Sequence, residues 1–230
     1  MRVPSLGASM NRKTQSAAQS ETVFDRFDPI RIRYSANELI CQSGCYAAGI
    51  YLVTSGLILE TYSESMTGDN FVAAGVLGPG DLIGTELLMT EPDELHQTTC
   101  RALSSTSLSF LERSEFDEAS DADEMLRRFV TTYLAGRSLR LLQTLWRAQR
   151  PADERLRRLL LELARFGDFE SEAHIRLPRE FELRLLASLA CVSARKARQI
   201  CTSLQGISWT DEGFCLSLED LAETLEAADL

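Results

Sequence analysis

From about residue 24 to residue 112 the chain alternates short apolar runs with Gly, Pro and polar breaks: ELIC, GIYLVTSG, LILETY, NFVAAGVLGPGDLIG and SLSFLER. In Ile50–Val53, Leu57–Leu59 and Leu108–Phe110 apolar and polar positions partly alternate, and Gly44, Gly49, Gly56, Gly75, Gly78, Gly80 and Gly84 fall at or near the breaks. Short strands of period two separated by glycine turns predict a small antiparallel barrel or roll.

From Asp121 the period changes. The run DADEMLRRFVTTYLAGRSLRLLQTLWRAQR reaches Pro151 with a single glycine, Gly136, and no internal proline. That predicts one helix of about 28 residues, roughly 42 Å long at 1.5 Å per residue. It carries two apolar stripes, one through Met125, Phe129, Leu139, Leu142 and Trp146, the other through Leu126, Val130, Tyr133, Leu141 and Leu145. A helix with two apolar faces needs two partners. The roll covers one stripe and a second copy of the helix is the simplest cover for the other, so a homodimer is expected, with Leu126, Val130, Tyr133, Leu141 and Leu145 at its interface. The alternative is a core helix in a monomer.

Pro151 stops the long helix, Ala152-Asp153 offers an N-cap, and ERLRRLLLELARF forms the next helix, with Gly167 as its stop. A polar loop, FGDFESEAH, precedes the apolar-periodic FELRLLASLA, the short CVS and the helix ARKARQICTSLQ, which Gly206 ends. ISWTDEGFCLSL then reads as two strands turning at Asp211-Glu212-Gly213. Helix, helix, tight turn, helix and hairpin is the order of a winged helix-turn-helix. The expected organisation is α+β: a leader at 1–20, a roll at 21–120, a dimerisation helix at 121–150, a winged helix-turn-helix at 151–218 and an acidic helix at 219–230.

Within the helix after the tight turn, Ala194, Ala197, Ile200, Cys201 and Leu204 form an apolar stripe, and Arg195, Arg198, Gln199 and Thr202 form a polar one beside Lys196. Arg forks match guanine O6/N7 and Gln matches adenine N6/N7 in a major groove. Arg195, Arg198 and Gln199 are therefore candidate base contacts. Ser193, at the N-cap, Lys196 and Thr202 are candidate phosphate contacts. A solvated helix face is the bland reading of the same residues.

The 230 residues hold 24 Lys plus Arg against 34 Asp plus Glu, a net charge of −10, with 44 % apolar and 25 % charged residues. Wholesale disorder is excluded, and no apolar stretch approaches the roughly 20 residues of a membrane span. Residues 151–230 hold 10 basic and 15 acidic side chains, which is unusual for a DNA-binding domain. Five of those acids lie in the terminal SLEDLAETLEAADL, while Arg176, Arg179 and Arg184 precede the reader helix. A local positive patch is compatible with that total, with few phosphate contacts and a modest salt slope.

The first 20 residues lack the apolar core of a secretory signal, so the six cysteines (41, 45, 100, 191, 201, 215) are read as reduced cytoplasmic thiols. No C-x-x-C pair is present and there are two histidines, His96 and His174, so no zinc site is expected. There is no Gly-rich phosphate loop or nucleophile elbow, and an enzyme is not expected.

These parts in this order resemble the cyclic AMP receptor protein and fumarate-nitrate reduction regulator (CRP/FNR) superfamily. The resemblance rests on ANELICQSGCYAAGIYLVTSGLI, VLGPGDLIGTELL, CRALSSTSLSFLERSEF, the long helix, ADERLRRLLLELARFG and LLASLACVSARKARQICTSLQ, over about residues 24–218. It implies a dimeric transcription regulator whose roll accepts a small-molecule effector, whose winged helix binds a two-fold site on double-stranded DNA, and which contacts RNA polymerase. It also implies an effector pocket around Gly84, Glu86, Gln97, Thr98, Arg140 and Leu141. Where cyclic AMP-binding members place a phosphate-holding Arg followed by a small hydroxyl residue, this chain has Gln97, Thr98 and Thr99. A buried phosphate would lack its compensating cation there, so cyclic AMP is not the expected effector.

Arg140 is otherwise an exposed helix arginine. No cysteine precedes Cys41, which disfavours the family's iron-sulfur cofactor. No cofactor is expected; the alternatives are haem, through His96 with Cys41, Cys45 or Cys100, and a thiol redox switch joining Cys41 and Cys45. Cys191 stands where the helix-turn-helix turn favours Gly and must tolerate that geometry. The alternative function is an effector-binding or protein-interaction module whose winged helix does not bind DNA.

Overall fold

The computed structural model describes residues 20–62, 72–89, 95–169, 171, 174–210, 213–217 and 220. Apart from Ser20 and Asp220, the expected leader and the acidic C-terminal helix lie outside the described residues, as do Asp211 and Glu212 of the hairpin turn. The chain divides into two compact units, residues 1–138 and 139–230.

The first unit runs α1 (20–25), β1 (Ile30–Tyr34), β2 (Leu39–Cys41), β3 (Gly49–Ser55), β4 (Ile58–Tyr62), β5 (Val72–Leu77), β6 (Leu82–Ile83), a 3-10 turn at Thr85–Met89, β7 (Thr99–Ala102), β8 (Thr106–Glu112), α2 (Arg113–Ala122) and the start of α3 (Glu124–Ala148). Its strands form two antiparallel four-stranded sheets, ordered β1-β8-β3-β6 and β2-β7-β4-β5. Strand β3 explains the partial alternation in the sequence, because both of its faces are covered. Ile50 and Leu52 pack in one core with Phe24, Leu82, Leu111, Phe116, Leu126, Val130 and Tyr133. Val53 belongs to a second core with Cys41, Ile58, Leu77, Ile83, Cys100 and Leu108.

The long helix begins later than its pattern predicts. Asp123 is extended and separates α2 from α3; its carboxylate accepts the Leu126 amide at 3.0 Å and pairs with Arg26 at 2.7 Å. The interface assignment also changes. Leu126, Val130 and Tyr133 are 0 %, 7 % and 8 % exposed within the core of their own unit, and the Tyr133 hydroxyl donates to the Leu82 carbonyl at 3.1 Å. These three therefore have no surface left for a second copy. Packing in the first unit covers only the first part of their stripe, while Leu141 and Leu145 of the same stripe stay 50 % and 64 % exposed.

The second unit contains the end of α3, α4 (Ala152–Leu163), a 3-10 turn at Ala164–Phe166, β9 (Asp168–Phe169), β10 (His174–Arg176), α5 (Leu183–Leu189), α6 (Ala194–Ser203), β11 (Ile207–Thr210) and β12 (Gly213–Ser217). The strands make one antiparallel sheet ordered β11-β12-β10-β9. The segment read as a polar loop thus contributes β9 and the first residue of β10 to this sheet. Pro151, rather than Ala152-Asp153, is the N-cap of α4, and Asp153 and Glu154 lie in its first turn, where carboxylates favour the helix dipole. Helix α4 packs against α5 and α6, burying Leu156, Leu159, Leu160, Leu186, Ala197 and Ile200.

Candidate functional site

Helix α6 follows α5 after a turn made by Ala190, Cys191 and Val192. Cys191 takes φ +53°, the left-handed conformation that Gly adopts most easily, as its position requires. The turn is closed by the Cys191 and Val192 amides, which donate to the carbonyls of Ser188 and Ala187 at 3.0 and 2.9 Å. Arg155 on α4 clamps it, donating to the carbonyls of Ala190 and Cys191 at 3.0 and 3.1 Å, and is itself anchored by donating to the Arg150 carbonyl at 2.9 Å. A residue with an ordinary side chain is thereby held in a conformation that costs about 1–2 kcal/mol.

Ser193 caps α6, its hydroxyl oxygen accepting the Lys196 amide at 3.2 Å, and its own proton is left to donate. Ala197, Ile200 and Cys201 are buried, while Arg195, Lys196, Arg198, Gln199 and Thr202 are exposed, as the stripe pattern predicts. Thr202 is a correction within that group. Its hydroxyl turns back on the helix toward the carbonyls of Arg198 and Gln199, at 3.1 and 2.9 Å, so its single proton is committed there.

Beside this face lies a groove of about 1020 Å³ lined by Arg179, Arg184, Arg195, Arg198, Thr202 and Trp209 among others. Trp209 on β11 stacks on Phe214 of β12 at 5.3 Å between ring centroids, 9° from parallel, and the Arg198 guanidinium stands 5.9 Å over the Trp209 ring. Four guanidinium groups and a flat aromatic wall suit a planar, anionic partner.

Among the residues implied for an effector pocket, Glu86 and Thr98 are engaged by other side chains of the roll and Gln97 is exposed. Glu86 lies 2.5 Å from Nδ1 of His96. Thr98 donates to Glu60 at 3.0 Å, and Glu60 is paired with Arg137 at 2.7 Å. Gln97 stands exposed, its amide donating to the Leu95 carbonyl at 3.1 Å, and so is not gathered with Glu86 and Thr98. Gly84, at φ +84°, has a structural duty: a Cβ there would meet the Gly49 carbonyl oxygen at 2.4 Å. Arg140 and Leu141 belong to the second unit, Arg140 half-buried and Leu141 50 % exposed.

Burial disfavours a charged His96, yet hydrogen bonds to Cys41 and Glu86 and the charges of both raise its pKa to about 10. Glu86 is held below its ordinary value: burial opposes ionisation, but the bond from His96 prevails.

Residues 31–123 match the cyclic nucleotide-binding domain family. Over nearly the whole chain the structure resembles FixK2 from Bradyrhizobium japonicum, with a TM-score of 0.70 at 18 % identity, covering 85 % of this chain and 96 % of that one. It likewise resembles the c-di-GMP responsive global regulator CLP of Xanthomonas campestris, with a TM-score of 0.68 at 20 % identity, covering 87 % and 99 %. A CRP/FNR family transcriptional regulator from Thermus thermophilus gives 0.67 at 18 % identity, covering 86 % and 98 %. The chain has the CRP/FNR fold. No curated protein matches the sequence significantly.

Within the CRP/FNR fold, sequence reasoning found the polar face of α6 but missed Trp209, Arg155, Glu60 and Arg137. Trp209 sits in a strand with no periodic signal of its own, and the other three act through pairings across long sequence separations. Among the described residues no group of three or more His, Cys, Asp or Glu is placed to hold a metal ion, and no helix is long and apolar enough to cross a membrane.

Proposed function

We propose that the protein is a homodimeric, sequence-specific DNA-binding transcription regulator of the CRP/FNR type that acts without cyclic AMP. The observation that carries this reading is the exposed face of α6, with Arg195, Lys196, Arg198 and Gln199 beside a groove that Arg179 and Arg184 also line. In it, α5, the Cys191 turn, α6 and the β11–β12 hairpin are a winged helix-turn-helix, with α6 as reader and the hairpin as wing. Arg195, Arg198 and Gln199 meet base edges; Ser193 and Lys196 meet phosphates.

Dimerisation is supported by the far part of α3, where Leu139, Leu141, Leu142, Leu145 and Trp146 are 61 %, 50 %, 61 %, 64 % and 43 % exposed. Apolar exposure of that density on one helix calls for a partner, and a second α3 is the occupant of matching chemistry.

Independence from cyclic AMP is supported by the interior of the roll. The hydroxyl of Thr98 and the guanidinium of Arg137 are both engaged by Glu60, and the carboxylate of Glu86 by His96. A phosphodiester entering there would find its cation already neutralised. The effector, where there is one, is then of another class.

Salt dependence of binding to a duplex of selected sequence tests the reading. A log–log slope that becomes shallower by about one on Lys196→Ala supports DNA contact through α6. Binding indifferent to salt, or to all changes on α6, would favour a winged helix that docks on protein, as the acidic balance of residues 151–230 would also suit.

A further inference from the structure

We propose that Cys41 and Cys100 form a peroxide-reactive dithiol inside the roll, in which Cys41 attacks the peroxide and Cys100 resolves the product to an intramolecular disulfide. This chemistry does not depend on DNA binding.

Four positional facts carry it. Strands β2 and β7 are antiparallel neighbours, and Cys41 and Cys100 are register partners just past an irregularity between Leu39 and Cys41. Directly opposed residues share a face and have Cα atoms about 4.5–5.5 Å apart, within the roughly 4.4–6.8 Å that a disulfide spans. Both thiols lie in the same core, at 8 % and 0 % exposure, so the pair is shielded from bulky reagents while a small peroxide needs little room. His96, itself buried and bonded to Glu86, lies close enough to Cys41 for its charge to act on the sulfur, and the Cys41 sulfur also faces the Thr98 carbonyl at 4.0 Å. One strand further along the same row, Glu60 on β4 is the register partner of Cys100.

These neighbours divide the labour between the two sulfurs. The neighbouring Cys100 thiol, with the polar group and charge of His96, outweighs burial and lowers Cys41 to about 6, which favours its thiolate at neutral pH. The adjacent Cys41 sulfur, burial and the negative charges of Cys41 and Glu60 push Cys100 up and keep it protonated. Cys45 does not share this environment: it is exposed, on the loop that follows β2. The alternative that the sequence raised, a switch joining Cys41 and Cys45, gives way in this proposal to a pair across the sheet.

In the reaction the Cys41 sulfur attacks the terminal oxygen of a hydroperoxide. The S–O bond forms as the O–O bond breaks, and the departing alkoxide or hydroxide takes a proton from the His96 imidazolium. Cys100 then attacks the sulfenic sulfur; the S–S bond forms and hydroxide leaves with the Cys100 proton as water. The dithiol loses two electrons and the hydroperoxide is reduced to an alcohol, or to water, plus one further water.

The test exposes the reduced, full-length protein to hydrogen peroxide at neutral pH, quenches with an alkylating reagent in denaturant, and follows all six cysteines by peptide mass spectrometry. The expected result is a Cys41–Cys100 linked peptide, with Cys41 consumed about tenfold faster than the exposed Cys45 and Cys191 despite its burial. With Cys100→Ser, a dimedone adduct accumulates on Cys41; with His96→Gln, the Cys41 rate falls toward that of Cys45 while circular dichroism stays native. Prior oxidation of Cys45 or Cys191, a Cys41–Cys45 link, or a Cys41 rate unchanged in folded His96→Gln would each overturn the proposal. The wild-type comparison reads the outcome even where a variant fails to fold.

Discussion

Arg137 on α3 and Glu60 on β4 meet in a 2.7 Å ion pair whose side chains are 22 % and 9 % exposed, and Thr98 gives Glu60 a second donor at 3.0 Å. This pair ties the long helix to the second sheet of the roll from inside. Its energetic weight lies in what happens when one partner is removed, since a buried carboxylate without its cation is far worse than an apolar pair.

Arg137→Met is therefore expected to destabilise the protein by about 3 kcal/mol, and adding Glu60→Leu to recover much of that loss. Urea unfolding followed by fluorescence measures both. A double variant no more stable than the single would mean that Arg137 acts through packing and not through its charge.

The first and the far parts of α3 predict opposite phenotypes. Leu126→Ala, at a fully buried site, should cost about 2–5 kcal/mol without changing oligomeric state directly. Leu142→Asp or Leu145→Asp, at sites 61 % and 64 % exposed, should leave the fold intact and convert a dimer to a monomer in sedimentation velocity. Retention of the dimer in both Asp variants would place the interface elsewhere.

Cys191→Gly should raise stability by about 0.5–1 kcal/mol, because Gly relieves the side chain at φ +53° and gives back part of that gain in chain entropy. Arg155→Ala should lower it, as three carbonyls lose their donor. Thermal melts of the two variants check the opposite signs.

Stability should also depend on pH through His96 and Cys41, with opposed senses. The folded His96 titrates near 10 against an ordinary 6.5, so its contribution is complete below about 6.5 and is lost as pH rises through 10. The folded Cys41 titrates near 6 against an ordinary 9.0, so its contribution is complete above about 9 and is lost as pH falls through 6. Between about 6.5 and 9 the two slopes cancel, and reduced wild-type protein should show a plateau. His96→Gln removes one side of the cancellation and leaves the larger, Cys100-dependent part of the Cys41 shift, so stability should rise with pH between about 6.5 and 9; urea midpoints across this range would reveal it, and an unchanged plateau would refute the coupling.

Much of this is legible in the chain itself. Glycine-spaced period-two runs mark the roll, the change of period at Asp121 marks the helices, and the stripe from Ala197 to Cys201 places the polar face of α6 outward. What sequence pattern does not carry is long-range choice. Nothing local tells how far along the helix the core of the roll reaches, so pattern alone gives Leu126, Val130 and Tyr133 to the same partner as Leu141 and Leu145. Nearness in sequence likewise favours Cys45 as the mate of Cys41, whereas antiparallel register brings Cys100 to it. The polar interior of the roll is illegible for the same reason, since Glu60, Thr98 and Arg137 are gathered from two strand regions and a helix.

The DNA interface makes a prediction residue by residue. Arg195→Ala or Arg198→Ala should relax preference at a single base-pair position at a cost of about 1–3 kcal/mol, whereas Lys196→Ala should weaken all sequences alike. Uniform weakening by either arginine variant would reassign that side chain to the phosphate backbone.

Sequence-specific DNA binding is tested most directly by selection from a random pool of duplex DNA with the purified, ligand-free protein. The expected result is enrichment of a two-fold symmetric site with half-sites about one helical turn apart. Failure to enrich any sequence, both with the protein alone and after addition of cell extract to supply an effector, would contradict it.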